Sequence, residues 1–265
     1  MKISLRSMFC APKDHVLIHW DLAQAESWIV AYLANEQNMK RSLKEGDIHL
    51  DTAAFALYFC ERKDVTPVMR YMGKQSNHSL SYRMSAQRWM QLINKRSDRP
   101  PHVTVTLGET KTYHKSWNTY YNLRGWWSEI EQQLSIDRIL VTPYGRVRVF
   151  FEAWGDDLFK EGTAHVPQST VADHFDGAIH PDLGIKGGML EVYRQFVKTN
   201  IFKIVNQSHD SLTAEVHKSI ANDVIEPVTQ LIRRPLIVNE EQFTIPVDCA
   251  MGEVFGELEE VKLAA

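Results

Sequence analysis

The sequence predicts an α/β (α+β) fold. Short, apolar, strand-like runs lie near both ends of the chain, and stretches of helical spacing fill the middle. A sharp helix start at Thr66-Pro67 opens one of those stretches. With 265 residues, 44% of them apolar and 24% charged, the chain can bury a real core and form one large domain or two modest ones.

His15 to Trp20 (HVLIHW) reads as a strand, and Asp21 follows it directly. From Ala23 to Leu33, the residues Ala25, Trp28, Ile29, Tyr32 and Leu33 recur at helical spacing. Asp47 to Phe59 reads as another helix, with Ile48, Thr52, Phe55 and Phe59 on or near one face. Thr66 is a good N-cap, and Pro67 takes the first helical position, where its missing N–H costs nothing. That helix is expected to run to about Ser81. Ser97 to Pro101 (SDRPP) marks a break. Trp117 to Leu134 is aromatic-rich and reads as helical, and Ile139–Val141 and Arg146–Phe151 flank the turn-rich Thr142-Pro143-Tyr144-Gly145 as a hairpin. Val166 to Ile179 reads as a helix started by Pro167. Ile201–Val205 and Leu212–Val216 are short strands around His209-Asp210-Ser211, and Phe243–Val247 is a strand before an acidic end.

Several classes are excluded. No run approaches the roughly 18 apolar residues of a membrane helix, and the N-terminus lacks the apolar stretch of a secretory signal. Cys10, Cys60 and Cys249 are odd in number, far apart and without zinc spacing, which suits free thiols in a reducing cytoplasm. Gly184 to Gly188 (GIKGG) lacks the spacing of a phosphate loop. The pairs Asp14-His15, Asp47-Ile48-His49 and His209-Asp210 match no particular metal set of a hydrolase. The net charge of −3 is uninformative, but its distribution is not. Arg83 to Arg148 holds eleven Lys/Arg against five Asp/Glu, and Asp210 to Ala265 holds four against eleven. A basic middle and an acidic end suit one polyanion-facing region.

Three constellations carry chemistry. Asp21 and Asp210 each sit at the end of, or between, strand-like runs, and two such carboxylates brought together suit hard divalent cations. Strand-end Asp residues are also common turn formers. Arg70, Lys74, His78 and Tyr82 are spaced by four and so lie along one stripe of a helix. Stacked like charges repel mildly, and a polyanion relieves that; near a helix start they suit a triphosphate. A solvated basic face is the plain alternative. Glu26, five residues after Asp21, is a second acid near the first, or a Glu that complements its helix dipole.

Taken in order, these pieces resemble the DNA polymerase I family (family A DNA polymerases). Leu5-Arg6-Ser7-Met8-Phe9 through Asp21-Leu22-Ala23-Gln24-Ala25-Glu26 looks like the approach to the first family motif, an Asp followed by x-x-Gln-x-Glu. Gly46-Asp47-Ile48-His49 with Thr52-Ala53-Ala54 resembles the next element, and Thr66-Pro67-x-x-Arg70-x-x-x-Lys74-x-x-Asn77-His78-x-x-x-Tyr82 resembles the fingers-helix motif. Thr142-x-x-Gly145-Arg146-x-Arg148 and Gln168-Ser169-Thr170-x-Ala172-Asp173 resemble two connecting motifs, and His209-Asp210-Ser211 the last catalytic one. Ile245-Pro246-Val247 with Gly252 and Gly256 resembles tails of phage members. The likeness spans essentially the whole chain.

The resemblance implies an antiparallel palm sheet bearing Asp21 and Asp210, with a mostly helical fingers insertion. Residues 1–38 and 138–265 would be palm and 39–137 fingers. It implies a cytoplasmic DNA-directed DNA polymerase, a nucleotidyltransferase that adds deoxynucleotides to a primer 3′-OH by two-metal phosphoryl transfer and releases pyrophosphate. Asp21, Asp210 and the Leu22 carbonyl would bind two Mg²⁺, with Mn²⁺ as a substitute. Gln24, Glu26, His49, Arg70, Lys74, His78 and Tyr82 would bind the nucleotide, Lys74 also donating a proton to pyrophosphate and Glu26 with Tyr82 excluding a ribose hydroxyl. Arg146, Gln168 and His209 would contact primer–template DNA. A chain that starts twenty residues before Asp21 leaves no room for thumb or exonuclease domains, so a separate polypeptide or a missing N-terminal region is expected to supply them.

Some positions depart from the family pattern. His78 replaces the usual aromatic, Ser211 the acid after the second catalytic Asp, and Trp28 stands two positions beyond Glu26 where an Arg is usual just after it. Lys160 and Ala164 fall nearest the Arg and Asn that usually precede Gln168. The alternatives are a catalytically inactive DNA-binding or assembly remnant of the fold, and a relative of single-subunit RNA polymerases.

Overall fold

The structure, a computed structural model, describes residues 5–95, 103–197 and 201–263. The break expected at Ser97 to Pro101 lies outside them. Strand β1 (His15–Leu22) places Ile18, Trp20 and Leu22 on one face, all fully buried, the period of two of a strand with a covered side. Helices α1 (Ala25–Leu33), α2 (Gln37–Lys44) and α3 (Ile48–Asp51) follow, the last continuing as a π-helical turn over Thr52–Tyr58. Next come α4 (Pro67–Leu80), α5 (Ala86–Lys95), α6 (Leu107–Tyr120), α7 (Arg124–Ile136), the hairpin β2 (Ile139–Val141) and β3 (Val147–Val149), α8 (Asp156–Asp176) and α9 (Gly188–Phe196). Then β4 (Phe202–Ser208), β5 (Ser211–His217), α10 (Ala221–Ile232), β6 (Pro235–Val238), β7 (Glu241–Thr244), β8 (Val247–Gly252) and β9 (Glu259–Glu260) complete the described order.

The chain divides into two units. One comprises Met1–Ala25, Pro143–Arg146 and Ser169–Ala265, and the other Glu26–Thr142 and Val147–Gln168. The first unit holds the sheet, in strand order β4-β5-β1-β8-β9, with every neighbouring pair antiparallel. Its covered face carries Ile18, Trp20 and Leu22 with Leu212, Ala214, Val216 and Cys249, and α9 and α10 pack on it. Burying each such large apolar side chain contributes about 1.5–3 kcal/mol. The opposite face carries Leu17, His19 and Asp21.

The second unit is mainly helical. Trp89, Trp117, Tyr121, Met39 and Ile48 are fully buried in it. Gly73 lets α4 lie against the backbone of α3: a Cβ there would stand 2.1 Å from the carbonyl oxygen of His49 and 3.0 Å from the amide of Ala53. The expected mixed fold, with an antiparallel sheet and a helical insertion, is what the structure has.

Four element expectations need correction. The segment Asp47 to Phe59 winds as a π-helix after Asp51, so the expected face is rotated and Phe55 and Phe59 are 37% and 75% exposed. Tyr121 is extended and divides Trp117 to Leu134 between α6 and α7. Helix α8 begins at Asp156 and runs through Pro167, which withdraws the N–H that the Thr163 carbonyl would otherwise accept and crowds that carbonyl with its ring. The strand expected over Phe243–Val247 is split at Ile245-Pro246 between β7 and β8, because proline cannot donate to a ladder.

Candidate active site

In the sheet unit, Ser208 and Ser211 pair across a two-residue turn made of His209 and Asp210. His209 takes a left-handed backbone there, with φ 51°, and the Ser211 hydroxyl donates to the Ser208 carbonyl at 3.0 Å. This turn is tied to the end of β1. The N–H of Leu22 donates to the carbonyl of Asp210 at 3.0 Å, and Asp21 stands opposite Ser211 in register. On its other side, the N–H of Ala23 donates to the carbonyl of Pro246 at 2.8 Å. Gln24, at φ 58°, then turns the chain into α1. Backbone pairing thus brings Asp21, Leu22 and Asp210 together, although 188 residues lie between the first and last. Both aspartates are half-buried and His209 is exposed.

The donors present, two carboxylates and a main-chain carbonyl, are hard oxygens of the kind that hold Mg²⁺. Among the described residues no group of three or more His, Cys, Asp and Glu side chains is poised to hold a metal. A cation here would therefore keep water or take substrate oxygens, which is usual for Mg²⁺. One acid was missed by reading the sequence. Asp248 on β8 is the register partner of Asp21, so the two side chains share a face. Burial, and then the nearby charge of Glu260, push the Asp248 carboxyl above its usual range. Only the strand register reveals it.

In the helical unit, Thr66 caps α4 as expected, its hydroxyl accepting from the Met69 N–H at 3.3 Å. Arg70, Lys74 and His78 are exposed along one stripe of that helix, and Tyr82 falls just past its end. Asp47 organises the start of α3: one carboxylate oxygen accepts from the N–H groups of His49 at 2.9 Å and Leu50 at 3.2 Å. The other accepts from Nε of Arg70 at 2.6 Å. Burial alone would raise the Asp47 carboxyl, but the Arg70 hydrogen bond and charge and the Leu50 amide outweigh it, so its pKa is lowered.

His49 is buried, and its ring centroid lies 5.5 Å from that of His78. Its pKa is pushed down to about 3, first by burial and then by His78; Lys74 and Arg70 add to this and Asp47 opposes it. The ring is neutral at physiological pH. Glu26 accepts a 2.5 Å hydrogen bond from the Tyr82 hydroxyl, and both line a small recess with His78 and Asn77. Burial, followed by the Glu26 charge, holds the Tyr82 phenol well above its usual pKa. The structure therefore gathers Glu26, His78 and Tyr82, and joins them through the His78–His49 ring contact to His49, Arg70 and Asp47.

A cleft of about 670 Å³ beside Tyr82 is bordered by Arg88 and Lys160; Arg88 was not singled out from the sequence. Of the remaining expected residues, Arg146 grips Asp173 through Nε, at 3.0 Å from each carboxylate oxygen, and through a further contact from its terminal nitrogen. Gln168 is exposed on α8. Two residues that the sequence shows only as parts of motifs take partner roles in the structure: Asp47, which holds Arg70, and Asn77, which touches His49 at 3.2 Å. Among the described residues no helix is long and apolar enough to cross a membrane.

Comparison with known proteins bears on the family and the fold. The family model for DNA polymerase family A matches residues 1–257. DNA polymerase I of Caldicellulosiruptor bescii is 25% identical over 90% of this chain and 27% of its own length. The DNA polymerase of Escherichia phage T5 is 23% identical over 94% of this chain and 30% of its own length. The thermostable DNA polymerase I of Thermus aquaticus is 35% identical over 88 residues, 33% of this chain and 10% of that protein. The chain thus spans under a third of the length of these relatives. Among solved structures, the POL domain of Pol1 from M. smegmatis, in complex with DNA primer-template and dNTP, shares the fold with a TM-score of 0.75 at 20% identity, covering 95% of this chain and 42% of that one. With the matched residues running from the approach to β1 to beyond β8, the chain belongs to DNA polymerase family A.

Proposed function

We propose that this chain is the catalytic portion of a template-directed DNA polymerase, with residues 1–38 and 138–265 acting as palm and 39–137 as fingers. The observation that carries the reading is the backbone tie between Leu22 and Asp210, which sets a carboxylate on each of two adjacent strand ends. Bound there, two Mg²⁺ would supply charge neutralisation and activation of the attacking oxygen. Asp21, Asp210 and the Leu22 carbonyl would hold them.

The reaction joins the primer 3′ oxygen to the α-phosphorus of a deoxynucleoside triphosphate and breaks the bond to pyrophosphate, and the hydroxyl proton passes to water. Arg70, Lys74 and neutral His49 present N–H donors to the triphosphate oxygens, and Lys74 gives a proton to departing pyrophosphate. Such positioning and electrostatic stabilisation account for most of the catalysis in phosphoryl transfer. The Glu26–Tyr82 pair, held by its hydrogen bond, would exclude a 2′-hydroxyl, which favours deoxynucleotides over ribonucleotides. His78 stacks on the incoming nucleotide, Gln24 helps seat it, and Arg146, Gln168 and His209 face primer–template DNA. Thumb and exonuclease functions would come from sequence outside these residues, on the same or a separate polypeptide.

The test is primer extension, with the chain alone and supplemented by a thumb-bearing partner, using wild type and Asp210→Asn. Losing a metal-holding carboxylate is expected to cut the rate by about 10³-fold or more, on the scale of losing a major electrostatic element of catalysis. Unchanged extension by Asp210→Asn would rule the mechanism out. Preference for rNTPs over dNTPs would favour the RNA polymerase reading.

A further inference from the structure

A buried side-chain network in the helical unit determines where His49 carries its proton. Asn77, on α4, is 2% exposed and His49 4%. The indole N–H of Trp117 can only donate, and it lies 2.9 Å from Oδ1 of Asn77. That contact orients the amide: the oxygen faces Trp117, and the NH₂ group faces the other way. One amide hydrogen goes to the hydroxyl oxygen of Thr52 at 2.9 Å. The Thr52 hydroxyl itself donates to the Ile48 carbonyl at 2.7 Å, or in its other rotor to Oδ1 of Asn77 at 3.1 Å; neither choice turns the amide over. Tyr121 lies 2.9 Å from the same hydroxyl and can supply a further donor to it.

The second amide hydrogen then points at Nδ1 of His49, 3.2 Å away. A nitrogen facing a donor must be the acceptor, so Nδ1 is bare. A neutral imidazole holds one proton, which therefore sits on Nε2. Among the described residues no protein group accepts from Nε2. We propose that Asn77 is a positioning residue that locks neutral His49 as the Nε2–H tautomer and so presents a fixed N–H donor to a phosphate oxygen of the incoming nucleotide. The last step rests on the function proposed above; the tautomer does not.

The groups facing His49 are consistent with this. His78, Lys74 and Arg70 disfavour a second proton on the ring and Asp47 favours one. A neutral donor of fixed direction adds recognition beside these cations without adding another buried charge, which would be costly to desolvate.

The experiment is a two-bond ¹H–¹⁵N correlation spectrum of the ¹⁵N-histidine-labelled full chain at pH 7.5, with His49 assigned by its loss in His49→Gln. The expected pattern is that of the Nε2–H tautomer, and an Nδ1–H or imidazolium pattern in the wild type would overturn the proposal outright. Asn77→Asp keeps an oxygen for Trp117 but puts an acceptor where the donor stood. It should move His49 to the Nδ1–H or doubly protonated form, and an unchanged tautomer in that variant would equally defeat the assignment. Addition of dATP with Mg²⁺ should shift the wild-type His49 Nε2–H resonance. In primer extension Asn77→Asp with His49 in the Nδ1–H form should raise KM for dATP about tenfold or more, the scale of one charge-assisted hydrogen bond, with a smaller change in kcat, whereas a doubly protonated ring keeps its Nε2–H and should not weaken dATP binding. A correct tautomer whose resonance ignores dATP, with KM unchanged in Asn77→Asp carrying the Nδ1–H form, overturns the phosphate-binding step and with it the triphosphate role given to His49, while leaving Asn77 as the tautomer lock.

Discussion

Asp21 and Asp210 are located by main-chain hydrogen bonds, whereas His49 and the α4 stripe are located by packed side chains and one glycine. In the sheet unit, strand register and the Leu22–Asp210 bond fix the backbone, and the carboxylates project from it half-buried. Changing such a side chain should alter chemistry and leave folding nearly intact, because the ladder needs only main-chain groups. In the helical unit, the Asn77 network and the contact at Gly73 are both buried, so a change there strikes the fold and the site together. The comparison makes Asp210→Asn the largest expected effect on activity and one of the smallest on stability, within about 0.5 kcal/mol of wild type. A large fall in its melting temperature would break the distinction.

Gly73→Ala is the converse case. Its added methyl would need to share space with the His49 carbonyl, 2.1 Å from the ideal Cβ position. The obstacle is backbone, which cannot rotate aside, so α4 must move. The expected cost is about 1–3 kcal/mol, the range for overpacking a close-packed interior, read by urea denaturation, together with weakened dNTP use. Gly125→Ala in α7 is the control, because a Cβ there meets nothing within 4 Å. It should be neutral or stabilising by up to about 1 kcal/mol through helix propensity. Equal responses at the two glycines would refute the close-approach explanation.

The same division explains what could be read from the sequence. β1 and the strands around Asp210 were legible as short apolar runs beside turn residues, and Thr66-Pro67 was legible because capping is local chemistry. The likeness to known polymerases pointed to Asp21, Asp210, Arg70 and Lys74 because they recur at fixed spacing within short motifs. Asp47, Asn77 and Asp248 were not found as partners, since each acquires its role from a residue brought to it by tertiary contact: Arg70, His49 and Asp21. The π-helical turn over Thr52–Tyr58 was missed for a related reason. Its winding leaves Phe55 and Phe59 exposed, which inverts the apolar pattern that an ordinary helix would show.

A pH measurement sharpens the comparison with one histidine in each unit. His49 and His174 both have their pKa pushed to about 3, in each case first by burial; His78 follows for His49 and Arg234 for His174. Their folded values lie below the ordinary 6.5, so the unfolded chain takes up protons first as pH falls. Their contribution to stability is complete above about pH 6.5 and is lost progressively between there and about pH 3, by up to about 1.4 kcal/mol per pH unit for each ring. Denaturation at pH 7.5 and 5.0 should differ by up to about 2 kcal/mol per histidine, and His49→Gln and His174→Gln should each remove one share. His174 differs in wiring: Nδ1 meets the Tyr144 hydroxyl at 2.6 Å, while Nε2 is buried with no hydrogen-bond partner among the described residues. Only the His49 variant should also impair dNTP use. Equal losses of dNTP use in both would show that stability, and not a presented N–H, governs that effect.

The smallest expected effect concerns Asp248, opposite Asp21 across β1 and β8. Like charges on directly paired strand positions cost a few tenths of a kcal/mol to about 1 kcal/mol, and a bound cation would reverse the sign of that interaction. Asp248→Asn should therefore raise stability slightly in EDTA and reduce the stabilisation gained on adding Mn²⁺. Both follow from thermal melts with and without metal. The two changes have opposite directions, which separates electrostatics from packing, since a packing defect would lower stability in both conditions. Ser211, the other register partner of Asp21, carries no charge, so Ser211→Ala, which loses the hydroxyl hydrogen bond to the Ser208 carbonyl, should lower stability alike with and without metal and leave the metal increment unchanged. A matching response in Ser211→Ala would mean that crowding around Asp21, and not charge, is what the metal relieves.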